Sequence, residues 1–155
     1  MRIFIDTSVF VRHYYGLNKS LRLLDFAVNE NEAVISPNII EETFFKLLYM
    51  ETERLFGKTG KYIAKERFRR HTDKFKAVED YINGFLIESI ESDIIELLNI
   101  DGRILKSSVE VAFSHGLLPN DALIAATCRH HGIKKIATFD EDFKRVDFLE
   151  VVGVE

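Results

Sequence analysis

The acids Asp6, Asp121 and Asp140 carry the chemistry that this sequence offers most plainly. Asp6 closes the run Arg2-Ile3-Phe4-Ile5, which reads as a buried strand, and Asp140 follows a second such run, Lys134-Lys135-Ile136-Ala137-Thr138. Asp121 opens an apolar helix that Gly132 ends, and Glu41 and Glu42 stand in the first turns of another that begins at Ser36-Pro37. Three or four carboxylates gathered without partners repel one another and rise in pKa. A divalent cation removes that penalty, and an all-oxygen donor set favours Mg²⁺ or Mn²⁺ over zinc, which recruits His or Cys. Such a cation activates water and stabilises charge on a phosphate during in-line displacement, so the acids point to phosphodiester hydrolysis. Thr7, Ser8 and Thr138 add hydroxyls suited to orienting water or the carboxylates themselves. Taken singly, each acid also has a plainer role. Asp121 complements a helix dipole (about 0.3–1 kcal/mol), Asp6 fits a turn, and Asp140-Glu141-Asp142 fits a solvated loop. Their joint placement at one rim is what argues for a site.

Strands alternating with helices supply that rim. The pattern predicts strands at Arg2–Ile5, Ala33–Ile35, Phe85–Ile87, Lys134–Thr138 and Phe148–Val152. Helices are expected at Val9–Asn29, from Ser36 (as N-cap) towards Leu55, Lys61–Asn83, Asp93–Leu98, Ser107–His115 and Asp121–His131 (capped by Asn120). This is an α/β class with a parallel sheet covered on both faces, in which ligands gather beyond the carboxyl ends of the strands. No repeat or interdomain linker interrupts the 155 residues, so one domain is expected over 1–155, with a helical elaboration about 50–85.

Composition bounds the rest. With 46% hydrophobic and 30% charged residues, the chain is globular rather than disordered or membranous. No apolar run reaches the ~18 residues of a membrane span, and the N-terminus meets Asp6 too soon for a secretory core. A single Cys128 precludes an intramolecular disulfide and suits a reducing compartment, so a cytoplasmic protein with no membrane partner is expected. The net charge of −4 conceals an asymmetry. Between Gly57 and Lys76, eight Lys or Arg face only Glu66 and Asp73, which allows a basic arm to meet a polyanion while acids elsewhere hold cations.

The residues resemble the PIN domains, and within them the VapC toxin nucleases and their archaeal relatives. The resemblance lies in Phe4-Ile5-Asp6-Thr7-Ser8, in Ile35-Ser36-Pro37 leading to Glu42, in Asn120-Asp121-Ala122-Leu123-Ile124-Ala125-Ala126-Thr127, and in Ile136 through Phe143. It spans nearly the whole chain and is weakest between Met50 and Phe85. It implies a five-stranded parallel sheet in order 3-2-1-4-5 and Mg²⁺- or Mn²⁺-dependent cleavage of single-stranded RNA. The family's four acids map onto Asp6, Glu42, Asp121 and Asp140, with Asp142 as an auxiliary acid. Asp6 and Asp140 are the expected direct metal ligands, and Asp121 and Glu42 complete a second site or hold coordinated water. Helical periodicity leaves Glu41 and Glu42 equivalent, and the family's spacing from Ser36 favours Glu42. A small antitoxin protein and a second copy of the chain are the partners that the resemblance implies.

The segment 50–85 departs from the compact family pattern as an enlarged helical hairpin. There Lys61, Lys65, Arg69 and Arg70 are candidates for tracking RNA phosphates, with Tyr62 or Phe68 to stack a base; the plainer reading is a solvated helix with core aromatics. His130-His131 suits a helix C-terminus better than a metal, and Gly57-Lys58-Thr59-Gly60-Lys61 lacks the spacing of a phosphate loop. Two other functions remain open. A phosphohydrolase of the haloacid dehalogenase type wants a second Asp two positions after Asp6, where Ser8 stands. A non-catalytic PIN-like module for RNA or protein would retain the scaffold without the reaction.

Overall fold

A computed structural model describes residues 1–153 of the chain. Strand β1 (Arg2–Ile5) leads through Asp6 into α1 (Thr7–Tyr14) and α2 (Asn18–Asn29). The expected single helix over 9–29 is two, because Gly16 takes a left-handed φ of 71° and turns the chain between them. Then follow β2 (Glu32–Ile35), α3 (Pro37–Phe56), α4 (Lys61–Arg70), α5 (Lys76–Tyr81) and α6 (Glu88–Glu91). The remaining elements are β3 (Glu96–Leu97), α7 (Gly102–His115), α8 (Pro119–His130), β4 (Lys135–Ala137) and β5 (Glu150–Val152).

The strands form one parallel sheet in the order β3-β2-β1-β4-β5. The first strand is therefore central. Ile3, Phe4 and Ile5 are wholly buried, as expected of a strand covered on both faces. The chain winds from β1 to β2 and β3 on one side, then crosses to β4 and β5 on the other. Its topological switch point lies between β1 and β4, where Asp6 and Thr138 leave the sheet. Around the sheet, Val9, Phe10, Leu24, Ile39, Leu47, Ile104, Val111 and Ile124 join one core.

Residues 50–85 are helical, but not as one rod after Gly60. At His71 the backbone leaves helical geometry (φ −138°, ψ 46°), and a 3₁₀ turn over Thr72–Phe75 redirects it. Phe85–Ile87, expected as a strand, lies inside a π-helical segment, Ile82–Ile87, that joins α5 to α6. Three apolar residues fit either state; here Leu86 is buried while the ring of Phe85 lies 4.6 Å from that of His13. The reverse occurs at 93–98. The spacing Ile94-Ile95 and Leu97-Leu98 mimics a helix, yet Asp93 turns at φ 56°, β3 pairs with β2, and Leu98 N–H donates to Ile35 O at 2.8 Å.

Helix termini also differ in detail. Helix α7 starts early because Asp101 accepts from the backbone N–H groups of Arg103 and Ile104. Helix α8 starts at Pro119 with Leu118 as N-cap, so Asn120 lies within its first turn and its side chain is used elsewhere. Ser36 does occupy the N-cap of α3, but its hydroxyl donates to Asn38 Oδ1 at 2.5 Å instead of capping. No helix among the described residues is long and apolar enough to cross a membrane.

Candidate active site

Asp6 is delivered to the rim by β1 and fixed there by β4. It is 5% exposed, and a single carboxylate oxygen receives all its bonds. Oδ2 accepts from Ser8 N–H at 3.2 Å, Ser8 Oγ at 2.6 Å and Thr138 Oγ1 at 2.7 Å. Each hydroxyl in turn accepts from the backbone: Ser8 Oγ from Phe139 N–H at 3.0 Å, Thr138 Oγ1 from Asp140 N–H at 2.9 Å. The segment that carries Asp140 is thus tied to the segment that carries Asp6. Oδ1 of Asp6 receives no hydrogen bond among the described residues. Burial raises the pKa of Asp6, and the Ser8 and Thr138 bonds oppose that rise.

Helix α8 brings Asp121 to the same place. Asp121, Asp140 and Asp142 each offer a carboxylate oxygen, and the three lie within 4.8 Å of one another. Asp142, an auxiliary in the sequence, therefore joins Asp121 and Asp140 in one carboxylate group, and Asp6 and Glu42 are near enough for their charges to act on Asp121. Asp121 is pushed up to about 7, first by burial and then by the charges of Asp140, Asp6 and Glu42; Lys46 opposes the shift. Asp140 Oδ1 is partly engaged, accepting from Asp142 N–H at 2.9 Å.

The structure separates the two glutamates of α3. Glu41 is exposed beside Ile40 and Phe44, away from the hydroxyl network. Glu42 turns inward, where its Oε2 accepts from Thr7 Oγ1 at 2.8 Å and from Asn120 Nδ2. Its Oε1 faces Lys46 Nζ at 2.9 Å. Asn120 Oδ1 accepts from Asn38 Nδ2 at 2.9 Å, so the chain Ser36–Asn38–Asn120–Glu42 ties the end of β2 to the starts of α3 and α8. Asn38, Lys46 and the side-chain role of Asn120 escaped the sequence reading. The i,i+4 spacing of Lys46 from Glu42 was the one available signal.

The basic residues lie elsewhere. Lys61, Lys65, Arg69 and Arg70 sit on exposed positions of α4, which meets α3 beside Phe45, three residues beyond Glu42. His131 Nε2 lies 3.2 Å from Asn99 O, outside the carboxylate group. Cys128 is fully buried and its thiol pKa is pushed up by desolvation, so it is an inert core residue.

The donors are all carboxylate oxygens. The cations at their margin, Lys46 on Glu42 and Arg145 on Asp142 (3.6 Å), leave Asp121 and Asp140 without an ion-pair partner among the described residues. That set fits a hard divalent cation. The model of one family, the PIN domain, matches residues 3–149. The chain belongs to the PIN-domain family. Two relatives from Methanocaldococcus jannaschii are similar to nearly the whole chain. Ribonuclease VapC6 is 33% identical over 151 residues, covering 97% of this chain and 95% of the relative. Ribonuclease VapC2 is 32% identical over 161 residues, covering 99% and 94%. The PIN fold here is also similar to a chain of a toxin–antitoxin complex from Klebsiella pneumoniae, with a TM-score of 0.56, 18% identity and coverage of 97% and 95%.

Proposed function

We propose that the protein is a divalent-cation-dependent endoribonuclease that hydrolyses phosphodiester bonds of single-stranded RNA, acting in the cytoplasm as the toxin of a toxin–antitoxin pair. The observation that carries this reading is the meeting of Asp121, Asp140 and Asp142 within 4.8 Å, together with a buried Asp6 that has one free oxygen. Full-length relatives named as ribonucleases support RNA as the substrate, and the toxin–antitoxin neighbour supports an antitoxin partner.

Asp6, Asp121, Asp140 and Asp142 would hold Mg²⁺ or Mn²⁺, with Glu42 adjoining. The ion supplies charge neutralisation, water activation and stabilisation of the phosphate oxygens. Ser8 and Thr138 orient Asp6 so that Oδ1 stays available. Glu42, held by three donors, contributes negative charge and anchors α3 against α8. Without the ion, burial and the neighbouring charges push Asp121 up to about 7, and a bound cation would hold its carboxylate ionised. Cleavage of RNA in Mg²⁺ or Mn²⁺, compared with EDTA and with Asp6→Asn, tests the reading. Undiminished cleavage by a rigorously purified Asp6→Asn protein overturns it. The dehalogenase-type phosphohydrolase loses ground because Ser8, in the place of its second acid, serves as a donor to Asp6. Absence of both Mn²⁺ binding and cleavage would instead favour the non-catalytic module.

The second copy of the chain that we propose as a partner fits α7. Ile104 and Val111 face the core, yet the opposite, solvent-facing side of α7 carries Leu105, Val109 and Phe113, which are 52%, 59% and 89% exposed. Polar residues belong on such a face. In an antiparallel two-fold pairing, Leu105 meets the second copy's Phe113, Val109 meets itself, and Lys106 on the flank meets the second copy's Glu110.

A further inference from the structure

We infer that α4 and the adjoining edge of α3 form a track for single-stranded polynucleotide, with backbone phosphates on Lys61, Lys65 and Arg69 and a base stacked on Tyr62. The inference deepens the nuclease reading and rests on it for the choice of polynucleotide. It begins from charge. Helix α4 carries Lys61, Lys65, Arg67, Arg69 and Arg70 against Glu66 alone. Two of these cations are already engaged. Arg70 pairs with Glu66 at 3.4 Å, and Arg67 turns inward over the ring of Phe56 at 5.3 Å. Lys61, Lys65 and Arg69 have no ion-pair partner among the described residues. Their i, i+4, i+8 spacing aligns them in one stripe with charges about 6 Å apart along the axis, comparable to the phosphate separation of a single strand.

Aromatic rings flank that stripe on both sides. Tyr62 is 86% exposed and shares an open hollow of about 430 Å³ with Lys65, Arg69 and the ion-paired Glu66 and Arg70. So exposed a ring buries little in the fold and leaves its face open for stacking. On the other side Phe45 is 43% exposed, and Lys61 Nζ lies 5.8 Å from its ring centre. Phe45 stands three residues beyond Glu42 on α3, and its neighbour Lys46 is the cation held by Glu42. The surface from Phe45 to Arg69 therefore interleaves cations with aromatic faces. A groove built this way binds a flexible strand with little base preference, each base finding a π face and each phosphate a cation. A duplex, whose bases are already stacked inside, cannot use Tyr62.

The test uses the full chain in EDTA, so that nothing is cut, and a short fluorescein-labelled oligouridylate. Fluorescence anisotropy gives affinity across a salt series. Lys65→Gln with Arg69→Gln should flatten the slope of log affinity against log salt by about 1.4, at roughly 0.7 per neutralised cation on a single strand. Tyr62→Ala should weaken binding roughly tenfold with the slope unchanged, and Tyr62→Phe should restore it. Unchanged slope and affinity in these variants, or no binding of the oligonucleotide by the wild type, overturns the track. Loss of a protein partner in place of RNA reassigns the surface and overturns it too. The two readings fail separately. Cleavage that persists while the α4 variants bind normally leaves the nuclease standing without the track, whereas α4-dependent binding without cation-dependent cleavage leaves the track without the nuclease.

Discussion

At the scale of single residues, the site is governed by how negative charge is tolerated. Asp121 stands at about 7 in the folded protein against an ordinary 3.8. The folded state therefore holds an extra proton between those values, and this group's contribution to stability falls as pH rises through that window. A bound cation reverses the trend, because it favours the ionised carboxylate. Mn²⁺ should accordingly raise the melting temperature more at about pH 8 than at about pH 5.5, as calorimetry would show; equal shifts would mean that Asp121 is not engaged. Asp6→Asn should abolish cleavage while leaving the melting temperature unchanged or raised, since the amide carbonyl can accept the bonds now made to Oδ2 and the buried charge is gone. Asn120→Ala should cost roughly 10- to 100-fold in cleavage, because Glu42 loses a donor that orients it. A variant as active as the wild type would show that Thr7 and Lys46 suffice.

Among the elements, the strands and helices that hold the acids were legible because they combine short apolar runs with unambiguous stops. Arg2–Ile5 before Asp6, Ser36-Pro37 before α3, and Gly132 after α8 each do so. The errors fell where local pattern and tertiary pairing compete. Residues 93–98 have helical spacing but gain more by pairing with β2, and 85–87 have strand character but complete a helix against α1. Asp6, Asp121 and Asp140 were visible as acids at element ends. Helical periodicity could not choose Glu42 over Glu41, a choice that depends on how α3 is rotated towards Asn120 and Thr7; the family's spacing from Ser36 favoured Glu42. One further constraint had no sequence signature. Gly153, just after β5, has a φ of 113°, and a Cβ there would stand 2.5 Å from Leu23 Cδ2 and 2.7 Å from the carbonyl oxygen of Thr138. Gly153→Ala should destabilise by about 1–3 kcal/mol in denaturant unfolding. It should also lower cleavage, because Thr138 is the residue displaced.

For the whole molecule, charge and apolar surface are divided among separate faces. The acids gather at the sheet rim, the unpaired cations lie along α4, and the apolar stripe runs along the outside of α7. Sedimentation velocity should find a dimer that Val109→Glu with Phe113→Glu converts to a folded monomer. A monomeric wild type at micromolar concentration would remove α7 as an interface.

The position of β1 at the centre of the sheet has a consequence in time. Strand β1 precedes both of its neighbours in the chain, yet one of them is β4, and the bond from Thr138 to Asp6 closes a separation of 132 residues. Strand β2 can pair early, but Asp6 cannot be oriented, nor Asp140 brought to it, until β4 has been made. Pairing over so long a separation is also slow. The carboxylate site is therefore assembled only when β4 docks beside β1.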